Sequence, residues 1–267
     1  MLHLLKIDLK KLTSYRTFWI ICGLYFITLA FFTASGMELL KWLARTFEDF
    51  GSSLNINRIP IYHFPDVWLN LIYVSGFFKI VIGVMTVISI TNEYQYRTLR
   101  QNVIDGLSRW EFLSTKILTN LLLSFLSVAM IMFISFVTGL IYTPEIDWSY
   151  VFADMEFLFA YFIEIFAYLS FALMLGVFVR RSGLTIILLL LAPMLEVIIR
   201  ENVNDYVPGL IPFFPMESIS NLVPLPFKRY AFQEIRDYLT LDSIGIAIAW
   251  TCIFNYLSYW KLRTSDI

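Results

Sequence analysis

The stretch "NEYQYRTLRQNVIDGLSRWEF", residues 92–112, carries charges of both signs between two long apolar runs. Its glycine, Gly106, is the residue type most easily placed in the left-handed conformation that ends a helix. Ser108 and Glu111, three residues apart, form the pattern of a capping box that starts a new helix. The stretch therefore predicts a short helix, a tight glycine turn, and a second helix that continues into the next apolar run.

The short helix before Gly106 carries an apolar ridge formed by Leu99, Val103 and Leu107. Glu93 and Arg97 are four residues apart in the favourable order for a helical ion pair. A helix this short is marginal in water unless it lies against a surface. We therefore expect the segment to contact something, either in this chain or in a partner.

The composition around this stretch identifies the class of protein. The chain has 267 residues, of which 58% are hydrophobic and 15% charged, and its mean hydropathy is +0.70. A soluble domain needs more charge on its surface, so the composition indicates an integral membrane protein. A net charge of -1 argues against nucleic acid as a partner, because phosphate binding needs a basic surface.

Six apolar runs are long enough, at about 20 residues, to cross a bilayer as helices. We predict an all-α integral membrane protein of six transmembrane helices, forming a single membrane domain over residues 1–267. The predicted spans are Thr17–Ser35, Val67–Ile90, Ile117–Tyr142, Met155–Val179, Leu184–Ile199 and Ser243–Tyr259.

The distribution of Lys and Arg predicts the orientation. With the N-terminus in the cytosol, the inside segments hold twelve of the 20 basic residues and the longer outside loops hold seven. The acidic stretch "TPEIDWSYVFADME" then lies outside. We expect both termini to be cytosolic and the protein to lie in the cell's inner (cytoplasmic) membrane, in contact with its lipids.

Three segments outside the spans have patterns of their own. Residues 1–16 place leucines on one helical face and lysines on the other, which predicts an interfacial elbow helix. Residues 37–50 predict a second interfacial helix, on the outer side. The proline-rich segment 200–242 favours backbone that dips into the outer interface or packs on other spans. A loose outer loop is the alternative.

Charged residues within the predicted spans need partners, because a charge facing lipid at the bilayer centre costs at least about 2.5 kcal/mol. Lys79 lies in the second span, Glu164 in the fourth and Glu196 in the fifth, where Pro193 predicts a bend. Depth along the helices makes Lys79 and Glu164 a candidate pair, with Glu196 as the competing acid. A structural pair and a substrate or proton pathway both fit this pattern.

The sequence lacks the usual enzymatic motifs. It has no phosphate-binding loop, no zinc motif of the H-E-x-x-H or C-x-x-C type and no nucleophile elbow. His3 and His63 are predicted to lie on opposite sides of the membrane. We therefore expect no catalytic residues, no metal and no cofactor in this chain, so its energy has to come from a gradient or from another subunit.

Glu93, followed by "RTLRQNVIDGLSRWEFLSTK", resembles the segment between the second and third spans of exporter-type permeases in the ATP-binding-cassette (ABC) superfamily, the type-2 permease family. The span count, the basic elbow and the proline-rich loop are compatible with that likeness. The resemblance implies that residues 92–116 contain a cytosolic coupling helix, Thr98–Asp105, which docks on a separate ATPase subunit holding ATP and Mg²⁺. It also implies a second permease subunit, in a homodimer or heterodimer.

The resemblance assigns the ATPase-coupling interface residue by residue. The positions are Glu93, Arg97, Thr98, Leu99, Arg100, Gln101, Asn102, Val103, Ile104, Asp105 and Gly106. Arg97 stands where many relatives have glycine. From this difference we expect the helix of the second span to continue into the coupling helix.

The leading hypothesis is a permease subunit that exports a lipid, a hydrophobic peptide or an amphipathic drug-like compound. One alternative is a gradient-driven transporter that uses Lys79 and Glu164. Another is a membrane anchor or scaffold that recruits an ATPase without moving a solute.

Overall fold

The computed structural model describes residues 2–46, 61–226 and 238–265. This part of the chain is helical and contains no β-strand. Its first helices are α1 (Leu2–Ser14), α2 (Arg16–Thr46), α3 (Asp66–Gly76), α4 (Lys79–Gln95), α5 (Thr98–Ile104) and α6 (Arg109–Tyr142). The later ones are α7 (Trp148–Val151), α8 (Glu156–Val179), α9 (Ser182–Asn204), a 3-10 helix (Pro208–Phe213), α10 (Pro215–Ser220) and α11 (Leu241–Thr264).

Five helical segments in the described ranges are long and apolar enough to cross a membrane. They are Arg16–Gly36, Arg109–Tyr142, Trp148–Val179, Ser182–Asn204 and Leu241–Thr264. The predicted second span is instead two helices, α3 and α4, which meet at an angle of 45° and pass the same test only together. The prediction of an all-α multi-pass chain is thus supported, and a sixth span requires the bent pair to count as one.

Helix α8 lies at the centre of the bundle, where it packs against α4, α6, α9 and α11. In its spanning segment 67% of the residues are buried, against 11% in α9. The cause is its sequence, because α8 is apolar on every side and so needs other helices around it. The apolar outer faces of α2 and α9 remain exposed on this chain.

The break in the second predicted span lies between Gly76 and Lys79. Here the amides of Phe77 and Phe78 donate to carbonyls three residues back rather than four. A Cβ added at Gly76 would lie 3.2 Å from Glu164 Oε1, so the absent side chain lets the backbone approach this carboxylate closely. The break therefore places the start of α4 beside α8.

Two segments predicted to lie on the outer side, residues 37–50 and residues 200–242, can be compared with the structure. Helix α2 runs without interruption to Thr46, so residues 37–46 are not a separate helix, and residues 47–50 lie outside the described ranges. The proline-rich segment packs on the bundle: Trp250 Nε1 donates to Phe213 O at 2.9 Å, and Met216 and Ile219 are buried. The loose-loop alternative is wrong for this part, while residues 227–237 lie outside the description.

Candidate functional site

The segment expected to form the coupling helix is helical: α5 covers Thr98–Ile104 and ends one residue earlier than predicted. Its start corrects the sequence interpretation, because α4 stops at Gln95 and Arg97 adopts the left-handed conformation, with φ of 57°. The second span does not continue into α5. Arg97, although not a glycine, takes the backbone shape that glycine adopts most easily.

The end of α5 confirms the predicted glycine turn. Gly106 has φ of +95°, and its amide donates to Val103 O at 3.1 Å. The amide of Leu107 donates to Asn102 O at 2.9 Å. This pair of bonds is the Schellman arrangement, in which a left-handed residue satisfies the last free carbonyls of a helix.

The next helix begins with the predicted capping box. Ser108 Oγ accepts from the Glu111 amide at 3.1 Å, and Glu111 Oε2 accepts from the Ser108 amide at 2.9 Å. Both bonds satisfy amides that a helix start otherwise leaves free. The short helix α5 is therefore held in place at its C-terminal end by two well-defined backbone motifs.

The apolar ridge of α5 faces its own chain, which restricts the surface open to a partner. Leu99 is 1% exposed and lies in a cluster with Ile90, Phe112 and Leu113. Val103 and Leu107 are half-buried. The ridge therefore anchors α5 to the bundle and does not form a docking surface.

The opposite side of α5 is open. The side chain of Ile104 is 72% exposed, which is unusual for a large apolar residue. Beside it, Arg100, Gln101, Asp105 and Gly106 are exposed too, whereas Thr98 and Asn102 are half-buried. The exposed face of α5 (Arg100, Gln101, Ile104 and Asp105) combines one large apolar side chain with charges of both signs.

Glu93 turns inward, away from Arg97, so the predicted helical ion pair between them is wrong. Glu93 Oε1 lies 3.2 Å from Lys116 Nζ, and Oε2 lies 3.7 Å from Lys11 Nζ. Thr98 Oγ1 donates to the same carboxylate. Arg97 is exposed because the backbone leaves the helix after Gln95 and carries its side chain away.

A second buried ion pair in this region joins Asp8 of α1 to Lys116 of α6. Lys116 Nζ lies 2.6 Å from Asp8 Oδ1, and Thr119 Oγ1 donates to Asp8 Oδ2 at 2.8 Å. Sequence reasoning missed Asp8, although a signal was present: it stands three residues after Leu5 and four before Leu12, on the leucine face of α1. An acid on an apolar helix face needs a buried partner.

Asp8, Glu93, Lys116 and Lys11 form what we call the ionic cluster. Asp8, Glu93 and Lys116 are 6%, 6% and 4% exposed, whereas the Lys11 side chain is 36% exposed. Two acids face two bases, so the cluster is neutral, as burial of charge requires. It ties together α1, the end of α4 and the start of α6, and it holds Thr98 at the start of α5.

A groove of about 520 Å³ runs beside the ionic cluster, between α1, α5 and the start of α6. Apolar groups from α1 and charged groups from the cluster both line it, together with the turn after α5. The lining includes Leu4, Ile7, Lys11, Asn102, Asp105 and Gly106. The groove makes α1 and α5 parts of one continuous surface.

Other predicted inside segments come to the same end of the bundle. Arg109 donates to Leu262 O at 2.6 Å and to Arg263 O at 2.5 Å, joining α6 to the end of α11. The Arg180 guanidinium lies 5.1 Å from the centre of the Tyr94 ring. We call this end, which carries α1, α5 and the C-terminal end of α11, the basic end.

The intramembrane charges are resolved into two different arrangements. Lys79 Nζ lies 2.5 Å from Glu164 Oε1, which confirms the candidate pair. Glu196 does not compete for Lys79, because its carboxylate accepts from the amides of Met216 and Glu217, at 2.8 and 2.6 Å. Glu196 thus caps the N-terminus of α10, where the helix dipole favours a negative charge.

Within the described ranges, no three His, Cys, Asp or Glu side chains are grouped so that they could hold a metal ion. The two acids of the ionic cluster are occupied by lysines.

Residues 52–267 match the family model described as "Protein of unknown function (DUF2705)". The match covers most of the chain, so the chain belongs to that family. No curated protein matches it.

Proposed function

We propose that this member of the DUF2705 family is the membrane-spanning permease subunit of an ATP-driven transporter of the ABC class. A separate ATPase subunit contacts the exposed face of α5 at the basic end, which faces the cytosol with both termini. Two permease subunits, identical or different, enclose the pathway. ATP and Mg²⁺ belong to the ATPase.

The observation that carries the proposal is the construction of α5. A floppy connection would absorb a push from a partner, whereas α5 is held by Leu99 in the core, by Thr98 on Glu93, and by the turn at Gly106. Its other face remains open, with Ile104 at the centre. A helix clamped on one side and open on the other is suited to transmit force to the spans that flank it.

The ionic cluster supports the same function because it connects α5 to the neighbouring helices. Displacement of α5 acts on Glu93, and Glu93 is bonded to Lys116, which is bonded to Asp8. Movement at the contact surface therefore reaches α4, α6 and α1 together. The apolar exposed sides of α2 and α9 are available to lipid and to the second permease subunit.

The test is purification of the chain in mild detergent, followed by measurement of ATP hydrolysis by the purified complex and of ATP-dependent transport in vesicles. Ile104→Asp is expected to abolish both ATPase association and transport without changing the thermal stability of the chain, because the side chain is exposed. Ile146→Asp is the matched control: Ile146 is 46% exposed in the connection between α6 and α7 and should have no effect.

Two results would overturn the proposal. Transport that a protonophore abolishes and ATP depletion leaves intact would identify a gradient-driven transporter that uses Lys79 and Glu164. ATPase binding with no movement of lipid, peptide or drug-like compounds in reconstituted vesicles would identify a scaffold.

A further inference from the structure

A second cavity, of about 350 Å³, lies at the break of the second predicted span. It is bordered by the break itself, by α8, by α9 near Pro193 and by α10. The walls are mostly apolar. The lining includes Lys79, Glu164, Tyr168, Met216, Ile219 and Val223.

The charges in this cavity already balance each other. Lys79 Nζ is bonded to Glu164 Oε1, and it lies 5.6 Å from the centre of the Tyr168 ring, where a cation is attracted to the ring face. The Lys79 side chain is 16% exposed, so the cavity is not sealed off from the outside of the chain. A charged ligand would add an uncompensated charge to this neutral pair, which is unfavourable in a membrane interior.

Two polar atoms in the same cavity lack partners. Glu164 Oε2 and the Tyr168 hydroxyl are buried, and neither atom has a hydrogen-bond partner among the described residues. The two residues are four apart on α8 and so share one face of the helix. Buried polar groups in native proteins are nearly always bonded, so these two atoms are candidate hydrogen-bonding positions for a ligand in the cavity.

The required ligand chemistry follows from these atoms. Glu164 Oε2 accepts a hydrogen bond, and the Tyr168 hydroxyl both donates and accepts. A hydroxyl group can donate to the carboxylate and accept from the phenol through a single oxygen, without adding charge. The apolar walls suit a hydrocarbon body.

We propose that this cavity binds an uncharged lipid-like alcohol, with its hydroxyl between Glu164 and Tyr168 and its hydrocarbon body against α9 and α10. Binding is a property of this chain alone. The assignment of this alcohol as the transported substrate rests on the function proposed above.

The experiment uses the full chain in phosphatidylcholine nanodiscs, without ATP or a partner, and a diazirine-bearing dodecanol as a photoreactive probe. Labelling is expected to be saturable and to map to cavity residues such as Met216, Ile219 and Val223. Dodecanol should compete, whereas dodecane, dodecylamine and dodecanoic acid, which share its chain length, should compete poorly.

Tyr168→Phe removes only the hydroxyl and is expected to weaken probe binding by about three- to tenfold, the effect of one hydrogen bond. Tyr161→Phe is the matched control, because Tyr161 is buried on the same helix but its hydroxyl faces that of Tyr25, at 3.4 Å. Probe binding to this variant should be unchanged.

Several outcomes would overturn the inference. Two concern the labelling: it does not saturate, or it spreads over the exposed faces of α2 and α9. Two concern competition: dodecane competes as well as dodecanol, or dodecylamine or dodecanoic acid competes better than dodecanol. The last is an equal loss of probe binding in the Tyr168→Phe and Tyr161→Phe variants. The result is separable from that for the proposed function. Alcohol binding without ATP-driven transport would support the binding site and refute the proposed transporter function. ATP-driven transport without alcohol binding would refute the binding site alone.

Discussion

Lys116 Nζ lies 2.6 Å from Asp8 Oδ1, although 108 residues separate them along the chain. Lys116 is also 3.2 Å from Glu93 Oε1, so one buried ammonium group pairs with two buried carboxylates. Lys116→Met would leave both acids without their buried cation. We expect it to lower the free energy of unfolding by about 3–5 kcal/mol, measured by denaturant titration in mild detergent.

Lys11 provides the control for that prediction, because its side chain is 36% exposed and its contact with Glu93 is longer, at 3.7 Å. Lys11→Met should cost no more than about 1 kcal/mol. In the double variant Asp8→Asn, Lys116→Met, Glu93 keeps Lys11 as its partner, so part of the lost stability should return. Simple addition of the single effects would contradict the coupling.

The two faces of α5 should respond differently to truncation. Leu99→Ala removes a side chain that is 1% exposed and should cost about 2–5 kcal/mol of folding free energy. Ile104→Ala removes one that is 72% exposed and should change stability by less than about 0.5 kcal/mol. Thermal unfolding of the purified variants tests both values, and equal losses would show that α5 is oriented otherwise.

A side chain at Gly106 would meet no steric clash, because open space surrounds this position. Only the backbone conformation of Gly106 is expected to make substitution unfavourable. Its φ is +95°, and nothing lies within 4 Å of an added Cβ. Gly106→Ala should therefore cost about 1–2 kcal/mol through backbone strain alone.

Gly245, inside α11, also has nothing within 4 Å and serves as the comparison for Gly106. Gly245→Ala should leave stability unchanged or raise it by about 0.5–1 kcal/mol, because alanine is the better helix former. Equal melting temperatures for the two variants would show that Gly106 is not under a backbone constraint.

Close packing of α4 on α8 depends on Gly176, because a Cβ there would lie 2.2 Å from Ile90 Cγ2. Gly176→Ala should cost about 1–3 kcal/mol through overpacking. Combining it with Ile90→Ala, which opens space at the same contact, should cost clearly less than the sum of the single changes. Gly183→Ala, with nothing within 4 Å of the new Cβ, is the neutral control.

The sequence was most informative where structure depends on neighbours within one helical turn. The turn at Gly106, the capping box of Ser108 and Glu111, and hence the C-terminal end of α5 were predicted, because caps are made by residues three or four apart. The start of α5 after the left-handed Arg97 was not predicted. The apolar runs likewise predicted the helices that can cross a membrane, since length and hydropathy are properties of each run alone.

Predictions failed where a local pattern competed with a distant partner. Glu93 and Arg97 have favourable helical spacing, but Glu93 pairs with Lys116 and Lys11, because a buried ion pair has stronger electrostatics than an exposed one. Glu196 was a candidate partner for Lys79, yet it caps α10, whose amides are closer. Neither outcome is visible from spacing within one helix.

The sequence by itself therefore determined the helices, their caps and the membrane character of the chain, because these depend on short-range geometry and on composition. Only the tertiary structure decided which face of α5 is open, where the second predicted span breaks, and that Asp8, Glu93 and Lys116 share one cluster. These features arise because a buried charge or an apolar ridge is stable only against a matching group, and that group lies far away along the chain.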